Sequence, residues 1–172
     1  RDGDRCYAEA EILAWGDRLS LNGAIDRCTV ALAKRRRLAS GGDLSIALSA
    51  AALTDPGFAA WLRAELADLG SDAEGLAVEV DGAAAIDNPG GFATLRRALH
   101  HTGAGLGLRH VGQQLVQLDE TAHLIPHYIK TDPLYVRGIA ATPARRRVLK
   151  TLAAMARSHA IPCIAEGVAT RE

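Results

Sequence analysis

Short apolar segments alternate along this chain with longer segments whose apolar residues have helical spacing. Around residues 104–112, Leu106 and Leu108 are two positions apart, as in a strand, and the polar pair Arg109 and His110 follows. Strands that alternate with helices form parallel sheets with right-handed crossovers. Strands are therefore predicted over 44–49, 76–80, around Leu106, over 128–130 and over 161–165, with a further first strand over 6–13; helices are predicted over 24–37, 55–70, 88–99 and 142–159.

Three of these helices open on a polar residue followed by proline, with Asp55, Asn88 and Thr142 as the predicted N-caps. The helix over 24–37 ends in a basic run that begins at Lys34 and ends at Arg37. This run is interpreted as a solvated helix end, which the helix dipole favours, rather than as a phosphate-binding patch.

The predicted strand ends carry the polar residues that a site requires. In a (β/α) barrel the carboxyl ends of the strands meet at one mouth, so these side chains are expected to converge. A doubly wound sheet is disfavoured, because Gly103, Gly105 and Gly107 lie before and within a strand rather than between a strand and a helix. The candidate site residues are Glu79, Arg109, His110, Lys130, Asp132 and Glu166.

Composition limits the function further. The chain of 172 residues has 48% hydrophobic residues and a formal net charge of zero, which predicts one globular domain over 1–172 and argues against a nucleic-acid surface. No apolar run is long enough to cross a bilayer and no signal-peptide pattern opens the chain, so we expect no membrane contact by this segment. Three widely spaced cysteines predict a reducing, cytoplasmic location, with the cytoplasmic part of a larger membrane-anchored protein as an alternative. The three cysteines, Cys6, Cys28 and Cys163, are expected to be buried thiols rather than disulfide or metal ligands.

Five motifs, in order, resemble those of the EAL domain family, the bacterial cyclic-di-GMP phosphodiesterases and their inactive relatives. The segment 44–58 resembles "NLS … L.dp.F", and 78–82 resembles "lEiTE". Residues 108–112 stand at "LDDFG", 130–132 at "KID" and 165–170 at "AEGVET". At the opening two alignments remain: if Glu11 is the glutamate of the EAL signature, Trp15 is one residue too close, and alignment on Trp15 puts Ala10 at the glutamate position.

The resemblance implies an α/β fold, a TIM-like (β/α) barrel of EAL type that is incomplete or trimmed. The family's long segment after the EAL motif is nearly absent before residue 24, and its last strand and helix are missing. With six predicted strands against the eight of a closed barrel, we expect an open wall beside the last strand. We expect a partner chain, or residues outside this sequence, to cover that edge.

The resemblance also implies a metal-dependent hydrolase, from which this chain departs. The family activates water with divalent cations held by oxygen ligands. Here Ala47 stands at the asparagine ligand position, and Arg109 and His110 replace the aspartate pair; Gly82 and Ala169 replace two further glutamates. By resemblance the remaining Glu79 is a metal ligand, Lys130 contacts water or phosphate, and Glu166 is a ligand or base. We therefore expect no metal cofactor and no catalysis.

Three functions remain. The first is a cyclic-di-GMP receptor used in signalling. The resemblance includes a branch of membrane-anchored receptors whose cytoplasmic EAL-like domain controls a periplasmic protease and the retention of a surface adhesin. The second is a protein-interaction module, with a homodimer or a signalling protein as partner, because Leu13 and Ala14 offer no counterpart to the family's phosphate-binding arginine. An active phosphodiesterase is the third and least supported. For the receptor, Arg109 is predicted to replace the metal by holding Glu79 or Glu166.

Overall fold

The computed structural model describes residues 7–112 and 125–168. The described strands are β1 (Leu44–Ala47), β2 (Leu76–Asp81), β3 (Gly105–Val111), β4 (Tyr128–Thr131) and β5 (Cys163–Ile164). The helices are α1 (Glu9–Arg18), α2 (Asn22–Ser40), α3 (Ala51–Thr54), α4 (Phe58–Ala67), α5 (Gly82–Asp87), α6 (Pro89–His100), α7 (Pro133–Val136) and α8 (Pro143–Ser158), with a short 3₁₀ helix at Gly70–Gly75.

The strands form one parallel sheet in the order β1-β2-β3-β4-β5. Strand follows helix in sequence and each strand pairs with the next, as in a (β/α) barrel. Within the described part of the chain the sheet is open, with β1 and β5 as its outer strands. The parallel sheet confirms the predicted α/β fold class, with the strand order of a (β/α) barrel.

The two faces of the sheet differ in the size of their side chains. Every second residue of β2, two residues of β3 and one of β4 are large apolar residues with almost no solvent exposure, and they pack in the core with the helices. The opposite, concave face carries small residues at its amino-terminal half. The buried set is Leu76, Val78, Val80, Leu106, Leu108 and Ile129, and the small set is Ser45, Ala77, Gly105 and Gly107.

Two predictions of local structure are wrong. The predicted strand over 6–13 is instead helical from Glu9, because alanine, glutamate and leucine favour a helix and the Glu11 side chain accepts a hydrogen bond from the Ala8 N–H at 2.9 Å. Asp55 does not cap a helix that starts at Pro56. Its side chain accepts from the Gly57 N–H at 2.8 Å in a turn, and α4 begins at Phe58.

The cysteine prediction is also wrong where it can be checked. Cys28 on α2 and Cys163 on β5 are both exposed. Cys28 lies on the outward side of α2, and Cys163 lies on the short outer strand, which lacks a neighbour beyond it among the described residues. Cys6 and Ala169 lie outside the described residues.

The basic run at the end of α2 bonds partly within the domain. Lys34 contacts Glu65 at 3.2 Å and Asp68 at 3.0 Å. The Arg37 guanidinium donates to the carbonyl oxygens of Asp72 and Gly42 at 2.8 and 2.6 Å. Lys34 therefore ties α2 to α4, and Arg37 ties α2 to the segments that precede β1 and β2, which is a structural role.

Candidate functional site

Glu79 lies at the centre of a hydrogen-bonded cluster on the concave face of the sheet. The strand register places Glu79, Gly107 and Tyr128 side by side on β2, β3 and β4. Because Gly107 has no side chain, the Tyr128 ring lies across it; a Cβ atom added at Gly107 would lie 2.5 Å from that ring. The Tyr128 hydroxyl thereby reaches Glu79 Oε1 and donates to it at 2.5 Å.

Lys130 completes this cluster. It lies two residues after Tyr128 and on the same face of β4, and its Nζ is 2.7 Å from Glu79 Oε1. Glu79 is only 5% exposed. Burial acts most strongly on the Glu79 pKa and would raise it, but the hydrogen bonds from Lys130 and Tyr128, the charge of Lys130 and a bond from Ser45 together lower the pKa. Glu79 is therefore an ionised carboxylate that protein donors already satisfy.

The pKa of Tyr128 shifts in the opposite direction from that of Glu79. Burial and the adjacent Glu79 carboxylate both raise the pKa of the Tyr128 phenol, since each disfavours a phenolate. Tyr128 is therefore a neutral donor at every physiological pH. This role of Tyr128 was not predicted from the sequence. A signal for it exists, because a glycine within a strand allows a ring from the neighbouring strand to pack across it.

A second cluster lies at the carboxyl ends of β2 and β3. His110 Nδ1 is 3.0 Å from Asp81 Oδ2, and His110 Nε2 is 3.2 Å from Arg109 Nη2. A guanidinium can only donate, so Nε2 accepts and the proton lies on Nδ1, where it is donated to Asp81. The geometry thus corresponds to a neutral His110 between a carboxylate and a guanidinium.

The backbone at this cluster departs from regular strand geometry. The β3–β4 register shifts between Leu108 and Val111, and His110 has a φ of 50°. A non-glycine residue in the left-handed region costs of the order of 1–3 kcal/mol and is found often at functional sites. The shift turns His110 towards Asp81, which caps α5 by accepting from the Ala83 N–H at 2.9 Å.

Asp132 and Glu166 have separate roles. The Asp132 side chain caps α7 by accepting from the Leu134 N–H at 2.7 Å. The Glu166 N–H donates to Thr131 Oγ1 at 3.5 Å, and Glu166 Oε2 is buried without a hydrogen-bond partner in the described part of the chain. Both residues therefore lie just after strands, as predicted, but Asp132 makes a local cap and Glu166 contacts the end of β4 through its backbone.

Arg109 was predicted to hold Glu79 or Glu166; Glu79 is paired with Lys130 instead, and Glu166 Oε2 has no hydrogen-bond partner in the described part of the chain. The cation at Glu79 is Lys130, and the charges that act on the Glu79 carboxylate include no contribution from Arg109. Arg109 instead contacts His110. Lys130 lies two residues after Tyr128 on β4, so its side chain is on the face of the sheet that carries Glu79. It forms the ion pair with that carboxylate.

Asp26 on α2 fixes the loop that follows β1 at the same end of the sheet. Its buried carboxylate accepts from the Ser49 N–H at 2.9 Å and from the Ser49 hydroxyl at 2.7 Å. Burial raises the pKa of Asp26 and outweighs both hydrogen bonds. This contact was not predicted from the sequence, and it forms one wall of the mouth.

Two cavities flank the clusters. One of about 290 Å³ lies at the mouth and is lined by polar side chains that include Asp17, Asp81, Arg109 and His110. The other, of about 600 Å³, lies along the concave face at the amino-terminal end of the strands, beside Glu79 and Tyr128. Among the described residues, no group of three or more His, Cys, Asp or Glu side chains is arranged to hold a metal ion.

The chain belongs to the EAL domain family, whose family model matches residues 1–172. No curated protein has a significantly similar sequence. The fold resembles Vibrio cholerae LapD S helix-GGDEF-EAL bound to c-di-GMP, with a TM-score of 0.89 and 22% identity over 99% of this chain and 42% of that solved chain.

Two further solved structures have the same fold. The Pseudomonas aeruginosa FimX EAL domain bound to c-di-GMP has a TM-score of 0.82 and 22% identity, over 96% of this chain and 68% of FimX. The PaMucR phosphodiesterase in its c-di-GMP complex has a TM-score of 0.84 and 18% identity, over 99% of this chain and 72% of PaMucR. This chain therefore spans less than half the length of the LapD structure and about seven tenths of the other two.

The described helices were also compared with the length and apolarity that a bilayer requires. None of those within 7–112 and 125–168 is both long and apolar enough to span a membrane.

Proposed function

We propose that this EAL domain is a receptor that binds cyclic-di-GMP without hydrolysing it, and that it acts in cytoplasmic signalling. Membership of the family and the c-di-GMP complexes of LapD, FimX and PaMucR support the choice of ligand. The observation that carries the loss of catalysis is that Ala47, Arg109 and His110 stand at ligand positions, while the carboxylate of the remaining ligand, Glu79, is bonded to Lys130 and Tyr128.

The residues at this site do not fit a divalent cation of the magnesium type. Such ions need several oxygen ligands. The resemblance assigns those ligands to positions where this chain has Ala47, Arg109 and His110, and the remaining ligand, Glu79, is held by Lys130 at 2.7 Å. A cation placed there would face the Lys130 ammonium in a mostly buried cluster, where like charges a few ångströms apart repel by several kcal/mol.

A calorimetric titration with cyclic-di-GMP and a hydrolysis assay test this proposal together. The expected result is saturable binding of one ligand per domain in a chelator-containing buffer, with no linear dinucleotide formed when Mn²⁺ is added for many hours. Formation of the linear product in Mn²⁺ that depends on Glu79 would contradict the proposal, as would the absence of any binding heat. A Glu79→Gln variant is the control for the hydrolysis assay.

One observation favours a second function, a protein-interaction module. Ile12, Trp15 and Leu19 lie at helical spacing on or just after α1, and Trp15 and Leu19 are 44% and 66% exposed. Exposed apolar side chains on one helix face are typical of contact surfaces. If the domain binds no nucleotide but self-associates in analytical ultracentrifugation, and a Trp15→Ala, Leu19→Ala variant does not, this second function replaces the first.

A further inference from the structure

Positive charge is concentrated in one part of this chain. The whole sequence has equal numbers of basic and acidic residues, 20 of each, but residues 133–165 contain no Asp or Glu. The cations of this stretch are Arg137, Arg145, Arg146, Arg147, Lys150 and Arg157. All but the first lie on α8, so this helix is a local basic surface on a chain without net charge.

The position of these cations on α8 opposes the stability of the helix. The helix begins at Pro143, so Arg145 and Arg146 lie in its first turn and Arg147 directly follows that turn. The amino-terminal end of a helix carries a partial positive charge and is stabilised by acidic residues, yet the first turn of α8 has none. The basic run over 34–37 differs, because it lies at the favoured end of α2 and bonds within the domain. Natural proteins break such local rules mainly at functional sites.

Arg145 and Arg146 are accounted for by the fold. Arg145 Nη1 donates to the carbonyl oxygen of Arg137, and Arg146 Nη1 donates to the carbonyl oxygen of Ala140 at 2.5 Å. These two side chains therefore hold the segment 137–142 against the start of α8.

The other three cations form a row on the outward side of α8. Arg147, Lys150 and Arg157 are three and seven residues apart, which places them on one face of the helix over about 15 Å of its axis. All three are exposed, whereas Leu152 and Ala156 on the other side of α8 are buried. Among the residues that the structure describes, the three form neither an ion pair nor a side-chain hydrogen bond. This basic row is therefore available to a partner.

The residues beside the basic row indicate which kind of partner fits. Thr151 and Ala154 lie on the same outward side and are exposed, and α8 contains no aromatic residue. A helix that binds a membrane surface presents bulky apolar side chains beside its cations, whereas the bulky apolar side chains of α8 pack against the core. A nucleic-acid surface has a wider basic field, often with aromatic side chains on which bases stack. A single row of cations fits neither.

We infer that the outward face of α8 binds an acidic helix of a partner protein, whose carboxylates pair with Arg147, Lys150 and Arg157. Carboxylates at positions i, i+3 and i+10 of such a helix repeat the spacing of the basic row, as in the charge pairs between adjacent helices of a coiled coil. The small side chains of Thr151 and Ala154 let the two helices approach each other closely. The inference goes beyond the proposed function and does not depend on nucleotide binding.

The experiment is a fluorescence-anisotropy titration of the domain with a labelled, alanine-based peptide of about 18 residues, which is long enough to form a helix. One version carries glutamates at the spacing of the basic row, and the second has the same composition with the glutamates distributed around the helix. At about 0.15 M salt, where charges more than roughly 8 Å apart are largely screened, the patterned version should bind about fivefold more tightly than the second. Equal affinities would overturn the inference, because they would indicate attraction without a specific site.

Charge reversal separates a docking surface from general attraction. The variant of the basic row carries Arg147→Glu, Lys150→Glu and Arg157→Glu. It should bind the patterned peptide about tenfold or more weakly, since three attractions become repulsions. The matched control reverses three exposed cations on other helices, Arg35, Arg36 and Arg63. It changes the net charge equally and should weaken the peptide by less than about twofold; equal losses in the two variants would overturn the inference.

The thermal midpoint tests whether the basic row serves the fold instead. The row variant should melt no lower than the wild type, because Arg147→Glu places an acidic residue near the amino-terminal end of α8. A lower midpoint with unchanged peptide affinity would assign the row to the fold and overturn the inference.

The other classes of partner are tested with a DNA duplex of mixed sequence and with vesicles that contain phosphatidylserine. The wild type should bind both more weakly than the patterned peptide. Tighter binding to either one, lost in the row variant, would overturn the acidic helix as the partner. A domain that binds the patterned peptide but no cyclic-di-GMP would overturn the proposed function and leave this inference standing.

Discussion

Replacing Lys130 with methionine removes the cation from a carboxylate that remains buried. Lys130 Nζ lies 2.7 Å from Glu79, and the two side chains are 20% and 6% exposed. Removal of one partner from a buried ion pair costs about 3–5 kcal/mol. Tyr128 and Ser45 still donate to Glu79 in the variant, and a fifth of Lys130 is in contact with solvent, so we expect a loss near the lower limit, about 3 kcal/mol at neutral pH.

This loss should depend on pH with a defined sign. In the wild type the folded-state pKa of Glu79 lies below its unfolded value, so the ionised carboxylate stabilises the fold above that unfolded value. The contribution is lost as the pH falls through the folded-state pKa. In the variant, burial acts without Lys130, so the pKa of Glu79 rises and the ionised form destabilises the fold. The difference between the two proteins should therefore be largest near neutral pH and shrink towards about pH 4.

Urea unfolding followed by circular dichroism measures this difference. Lys150→Met, an exposed lysine on α8, is the matched control and should change the free energy of unfolding by less than about 0.5 kcal/mol. In the background of Glu79→Gln, Lys130→Met should cost much less than in the wild type, because the charge that it balanced is gone. A Lys130→Met variant that matches the Lys150→Met control, or a loss that does not change with pH, would refute the role assigned to the pair.

Three further predictions concern the same cluster. Tyr128→Phe keeps the ring over Gly107 but removes the donor to the buried Glu79, so the free energy of unfolding should fall by about 1–3 kcal/mol in the same assay; an unchanged value would show that the hydroxyl bond contributes nothing. Gly107→Ala places a Cβ 2.5 Å from the Tyr128 ring and should lower the free energy of unfolding by about 1–3 kcal/mol. Gly90→Ala on α6 has open space at its Cβ and should be neutral or stabilising. Equal effects of the two changes would exclude the close approach as the cause. Millimolar Mg²⁺ or Mn²⁺ should leave the thermal midpoint unchanged, because we expect neither ion to bind and an ion that binds only the folded state must raise the midpoint. A rise that chelator reverses would show that an ion does bind.

The sequence predicted the arrangement of strands and helices from β1 onwards, because that part follows local rules. Apolar alternation located β2 and β3, and proline after a polar residue marked the starts of α6 and α8. The first strand failed because residues 7–13 have no period of two, so helix propensity and the Glu11 cap determined the structure.

The partners in the site could not be predicted in the same way. Each of Glu79, Arg109 and Lys130 was correctly placed at a strand, but which of them meet depends on the register between strands, and the sequence alone does not give that register. The register aligns Gly107 between Glu79 and Tyr128, which lets the tyrosine take part. The bulge before Val111 turns His110 towards Asp81, and no local sequence pattern predicts this bulge.

In the proposed receptor, Lys130 and Tyr128 occupy the carboxylate that a metal ion would need, so cyclic-di-GMP binds there without a cation. A calorimetric titration of the domain with cyclic-di-GMP, run once in EDTA and once in millimolar Mn²⁺, tests it most directly. We expect saturable binding in both buffers, with dissociation constants that agree within about twofold. Binding that appears only in Mn²⁺, or that strengthens there by tenfold or more, would contradict it.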